Sequence, residues 1–278
     1  MRRGNLWARL AVVTTVLLVA AACREEAPTD GASPGGPTFQ TIEEGTLKVG
    51  SCLDYKPFEF VEGGDEKGFD VDLSEAIAQE LGVQVEWVRA DFDTIFTAVA
   101  ANQFDMVAAA STITEERDQV VDFSDPYYNA RQSLAVNTGE TPDVASTDDV
   151  GEGDVIGVQK GTTGRDWAKE NLEPQGAQIK TYQTISDAFR DLEAGRLTGI
   201  INDEPSSQEE VKGLSGVEVV EAIDTGEHYG LAFSPDNTEL RDAVNEALAT
   251  LIENGTYSEI FGQYFPGVEV PPEFQAAS

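Results

Sequence analysis

The chain predicts an α/β fold in two lobes, and three observations carry that prediction. From Thr46 onward, short apolar strands alternate with amphipathic helices. A polar stretch over residues 137–153 interrupts the alternation, and the same rhythm then restarts. The 278 residues are 40% hydrophobic, enough for two domains of ordinary size or one large one with real cores.

Taken in order, residues 1–22 have a basic start (Arg2, Arg3, Arg9) and an apolar run over 10–22, the layout of an export signal. That run is shorter than the roughly 20 residues a bilayer requires. It ends in Ala20-Ala21-Ala22-Cys23, which resembles a bacterial lipobox with Ala20 in place of the usual leucine. On that reading Cys23 becomes the lipidated N-terminus, and residues 23–43, with Pro28, Pro34, Gly35, Gly36 and Pro37, form a flexible tether. Cys52 is then left without a partner; the alternative is a Cys23–Cys52 disulfide.

The first lobe is expected to hold strand 47–50, helix 70–81, strand 83–88, helix 92–102, strand 104–109, a helix opened at Thr114, and an extended segment 132–136. After the restart come strand 155–158, helix 165–172, strand 178–182, helix 185–194, strand 197–202, a short helix 206–212 and strand 217–220. An extended segment 229–233 and helices 239–253 and 257–264 close the chain.

With 18 Lys and Arg against 51 Asp and Glu, the formal charge of −33 argues against nucleic acid and against attraction to anionic lipid headgroups. No EF-hand spacing is present at Asp65, Asp70 and Asp72, and neither a metal nor a cofactor is expected.

Open α/β sheets place ligands at the C-terminal ends of their strands, and three such ends stand out. In Ala110-Ser111-Thr112 to Arg117 an arginine stands at an expected helix start, where a cation is unfavourable without an anion nearby. A surface pairing of Arg117 with Asp118 or Asp122 is the plainer reading. Gln159-Lys160-Gly161-Thr162-Thr163-Gly164 offers backbone N–H groups and hydroxyls to an anion, but lacks P-loop spacing and also reads as an ordinary strand-to-helix turn. Asp203 follows the third strand and either caps the next helix or supplies a negative charge opposite Arg117. An arginine for a carboxylate and an aspartate for an ammonium together describe an α-amino acid.

These segments, with Asp54-Tyr55-Lys56-Pro57-Phe58-Glu59-Phe60, Gly68-Phe69-Asp70-Val71-Asp72-Leu73, Phe104-Asp105-Met106-Val107 and Asp122-Phe123-Ser124-Asp125-Pro126-Tyr127-Tyr128, resemble in order the extracellular solute-binding proteins of polar amino-acid ABC importers. The resemblance implies a type II periplasmic-binding-protein fold, each lobe a mixed sheet flanked by helices, joined by two hinge crossings near 132–136 and 229–233. Lobe 1 would comprise 44–134 and 229–278, and lobe 2 residues 135–228. It further implies that Arg117 grips the ligand carboxylate with Thr112, Thr163 and main chain near Ala110, while Asp203 takes the ammonium. Thr162 shares the second anion-binding turn. Tyr55 and Phe92 line the side-chain pocket with Gln159 nearby. Cys52 stands where relatives selective for cationic or glutamine side chains often carry aspartate, so Cys52 and Asp54 are the expected selectors, with a neutral amide or a cation as the ligand's side chain. The implied partners are an ABC permease and its ATPase, reached by a monomer held through lipid to the outer face of the cell membrane. A dehydratase on the same fold and a ligand-sensing lipoprotein are the rival functions; the single histidine, His228, is expected near the second crossing.

Overall fold

The computed structural model describes residues 39–276; the export signal, Cys23 and most of the expected tether lie outside them. The chain first lays down β1 (Thr46–Ser51), β2 (Asp54–Tyr55), β3 (Glu59–Glu62), β4 (Asp65–Lys67), α1 (Phe69–Leu81), β5 (Gln84–Arg89), α2 (Phe92–Ala100), β6 (Met106–Val107) and β7 (Asp122–Phe123). It continues with β8 (Tyr128–Asn137), β9 (Val155–Gln159), α3 (Thr163–Asn171), β10 (Gln178–Tyr182), α4 (Ile185–Glu193), β11 (Gly199–Asp203), α5 (Glu204–Val211) and β12 (Val217–Tyr229). It ends with β13 (Ala232–Phe233), α6 (Thr238–Glu253) and α7 (Thr256–Tyr264).

Two mixed five-stranded sheets result, ordered β5-β1-β6-β13-β7 and β10-β9-β11-β8-β12. The first is packed on one side by α1, α6 and α7 through Leu73, Ile77, Val244, Leu248 and Phe261, and on the other by Ile95 and Val99 of α2. The second has Ala168 of α3 on one face and Ile185, Phe189 and Leu192 of α4 on the other. Parallel strands buried on both faces, with helices as crossovers, give the short apolar runs visible in the sequence.

Four expectations need correction. Phe39 is buried in the first core and the Ile42 N–H donates to Asp105 Oδ1 (2.7 Å), so the folded part begins before residue 44. The strand expected over 104–109 is cut to two residues because Ala110 turns to φ 44° and gives its N–H to the buried Asp70 Oδ2 at 2.8 Å. The helix expected at Thr114 is only a 3-10 turn, Arg117–Gln119; Val121 must be buried and β7 must pair with β13, which leaves no room for more. Finally, β8 belongs wholly to the second sheet, so the first crossing lies between Phe123 and Tyr128 rather than at 132–136.

The return crossing follows β12, which runs unbroken from Val217 to Tyr229 although only its first four residues read as strand. Glu218, Glu221, Asp224 and Glu227 give that edge strand little apolar signal, and pairing with β8 overrides local preference.

Candidate functional site

In the first sheet the chain leaves β1 for β5 on one side and returns to β6 on the other; in the second it leaves β9 for β10 and returns to β11. Each sheet thus has a switch point whose strand ends open a crevice. The two crevices form one cavity between the lobes, and every residue expected there from sequence lines it: Cys52, Asp54, Tyr55, Phe92, Ala110, Thr112, Arg117, Gln159, Thr162, Thr163 and Asp203. Glu59, to which the sequence motifs give no role, lines it as well.

Arg117 does not make the surface pair with Asp118 or Asp122. Its Nη1 donates to Thr112 O (2.6 Å) and its Nη2 to Gly161 O (3.1 Å), joining the two lobes. The guanidinium carbon lies 4.6 Å from the Phe96 ring centre and 5.3 Å from that of Phe92. Burial lowers its pKa to about 10, against the opposing pull of Asp203 and Glu227. It therefore stays charged at neutral pH with three N–H donors not taken by these carbonyls. The helix-dipole reasoning fails for so short a turn; what marks Arg117 is its position in a strand-end crevice.

Asp203 occupies the N-cap position of α5, yet its side chain makes no cap bond. Instead Oδ2 lies 2.6 Å from Tyr55 Oη and Oδ1 accepts from Gln132 Nε2 at 2.5 Å. Burial first, and then the Glu227 carboxylate, push its pKa up to about 6. Tyr55 belongs to the first lobe and packs against the cores of both. Thr162, by contrast, is committed to capping: its hydroxyl donates to Gln159 O (2.9 Å) and accepts from Arg165 N (3.2 Å). Ala110 likewise has its N–H taken by Asp70.

At the other end of the cavity Cys52 is 7% exposed, its thiol pushed well up by burial. Asp54 faces outward to Arg89 (3.2 Å), although burial still raises its carboxyl. Glu59 is 1% exposed, and its Oε2 has no hydrogen-bond partner. Burial, followed by the charges of Asp70 and Asp54, pushes its carboxyl well above the usual range. A signal for Glu59 was present: it begins a strand directly after Pro57-Phe58, where a buried acid needs a reason. Gln159 Nε2 bonds Gln183 O (3.3 Å), and His228 lies on a separate surface hollow, paired with Asn129 Oδ1 at 2.8 Å.

Two α/β lobes, two chain crossings and a closed cavity at facing switch points define a two-lobed ligand-binding protein. The chain belongs to the bacterial extracellular solute-binding proteins, family 3, whose model matches residues 47–267. It is 31% identical to the L-arginine-binding protein of Pseudomonas aeruginosa over 82% of this chain and 90% of that one. Among solved structures it is similar to an ancestral arginine-binding protein bound to arginine (38% identity, TM-score 0.76, 80% of this chain and 98% of that one). It is also similar to an ancestral amino acid-binding protein described as a precursor of cyclohexadienyl dehydratase (38% identity, TM-score 0.75, 80% and 96%). These relatives are binding proteins, and the fold is the type II architecture expected.

Proposed function

We propose that this protein captures an L-α-amino acid with a cationic side chain outside the membrane and delivers it to an ABC permease, binding the ligand without transforming it. The observation that carries the reading is the presence of Arg117 and Asp203 in one cavity. A buried guanidinium and a buried carboxylate that do not pair with each other are expensive to hold, and an α-amino acid satisfies both. The cationic side chain is supported by the unpartnered Glu59 in the cavity wall, while Asp54 is turned away to Arg89, and by arginine binding among the relatives. Cys52, a neutral thiol, leaves Glu59 as the favoured anchor. Export and anchoring through a lipidated Cys23 rest on the sequence of the first 23 residues.

The test is calorimetry of ligand-stripped protein against the common amino acids. L-Arginine or L-lysine is expected to bind saturably and raise the melting temperature, because a ligand of the native state stabilises it by mass action. Arg117→Ala should weaken binding on the order of a hundredfold or more, the cost of leaving a charged partner unpaired, while the ligand-free protein still folds. Absence of binding by every α-amino acid overturns the proposal.

A further inference from the structure

Directly behind the cleft wall stands an acidic side chain that the amino-acid reading leaves without a role, Glu227. Sequence gives no hint of it, since it lies in the unpatterned second half of β12. The pairing of β12 with β8 is interrupted there: Ile223 faces Gln132 and Glu227 faces Ala130, so two more residues lie between the pairs on β12 than on β8. Such a bulge re-aims a side chain. Gly226, at φ 64°, supplies the left-handed residue the bulge needs.

The redirected carboxylate reaches both lobes. Its Oε2 accepts from Thr112 Oγ1 at 2.8 Å and from Thr163 Oγ1 at 2.7 Å, while Oε1 accepts from Thr225 Oγ1 (2.9 Å) and from Gln132 Nε2 (3.3 Å). Gln132 Nε2 also reaches Asp203 Oδ1 (2.5 Å) and, at 3.5 Å, Thr163 Oγ1. Thr112 and Thr163 line the cavity; Glu227 stands behind them.

A hydroxyl has one proton. With both protons committed to Glu227, Thr112 and Thr163 can offer the cavity only lone pairs. They then suit an N–H donor and repel a carboxylate oxygen, the reverse of the role the family resemblance suggests for them. We infer that Glu227 is a positioning residue that fixes these two hydroxyls as acceptors, so that they and Asp203 form the seat of the ligand's ammonium while Arg117 alone among these side chains takes its carboxylate. This rests on the amino-acid reading and adds to it the residue that turns these two hydroxyls toward the ammonium.

The experiment compares two ligand pairs by calorimetry: L-arginine with 5-guanidinopentanoate, and L-glutamine with glutaramate, each second member lacking only the α-ammonium. Wild-type protein should prefer the amino acid strongly. In Glu227→Gln the preference should fall on the order of tenfold, the worth of losing charge-assisted acceptors, while the deamino ligand changes little. Thr163→Val, which leaves the carboxylate of Glu227 in place and removes one acceptor, should lower the preference in the same direction and keeps the test alive if the first variant does not fold. Equal loss for both members of a pair, or an unchanged preference, overturns the assignment of Glu227. Failure of wild-type protein to bind any α-amino acid instead overturns the function on which it rests.

Discussion

At the scale of the residue, the cleft is an arrangement of charges held back from one another. Asp203 accepts from Tyr55 and Gln132 but forms no ion pair with Arg117, and Glu227 stands near enough to raise its pKa. The consequence for pH follows from the sign of that shift. A carboxyl raised to about 6 by burial and by Glu227 holds its proton in the ligand-free protein up to near that pH. An ammonium seated on Asp203 requires the deprotonated form, so binding and protonation compete. Affinity should be at its plateau above pH 6 and fall by up to about tenfold per unit below it, whereas the ligand's own carboxylate stays ionised throughout. Calorimetric titrations between pH 8 and pH 5 check this, together with proton release measured in two buffers of different ionisation enthalpy. Pairing by an opposite charge would have lowered the carboxyl and moved the fall toward pH 3, so an affinity flat from pH 8 to pH 5 counts against Asp203 as the ammonium partner.

At the scale of the element, contacts across the cleft mouth hold the two lobes together. Asp93, on the first turn of α2, accepts from Lys160 Nζ (2.7 Å) after β9 and from Gln183 Nε2 (2.9 Å) after β10, and these bonds hold its carboxyl below the usual range. Lys160 is exposed, so the latch is weak, about 0.2–1 kcal/mol by the measure of solvent-facing pairs. Asp93→Ala should therefore speed ligand dissociation by up to about fivefold with little change in association, as read by stopped-flow fluorescence; an unchanged off-rate would assign closure to the inner contacts alone. Legibility in the sequence divides along similar lines. Strand and helix periodicity placed α1, α2, α4, α6 and α7 to within a few residues, because each buries one apolar stripe. The strand-end motifs pointed to Arg117, Asp203 and Thr163, all of which line the cavity. What stayed hidden depends on partners distant in sequence: the pairing that extends β12, the bulge that turns Glu227 inward, and Asp70, whose grip on Ala110 N ends β6. Gly68 stands between these cases. Its φ of 131° and the Phe58 carbonyl 2.0 Å from where a Cβ would sit require glycine, but the motif alone does not say why.

At the scale of the whole molecule, the formal charge of −33 and the acid-lined cavity act on the same ligand at different distances. A chain with 51 acidic against 18 basic side chains draws cations toward it and raises their encounter rate. That long-range field is screened within about 8 Å at physiological ionic strength. Contacts inside a closed cavity are screened far less, because water and ions are excluded from them. The two contributions therefore separate with salt. For a cationic amino acid such as L-arginine, raising sodium chloride from about 10 mM to 500 mM, which shortens the screening length several-fold, should lower the association rate and leave the dissociation rate nearly constant. L-Glutamine, net neutral, should show almost no change in association over the same range. Stopped-flow measurement of both ligands gives the comparison directly. If arginine association were as insensitive to salt as that of glutamine, the negative surface would have no part in capture; if its dissociation rate rose steeply instead, the cationic side chain would be held at the exposed rim rather than at Glu59.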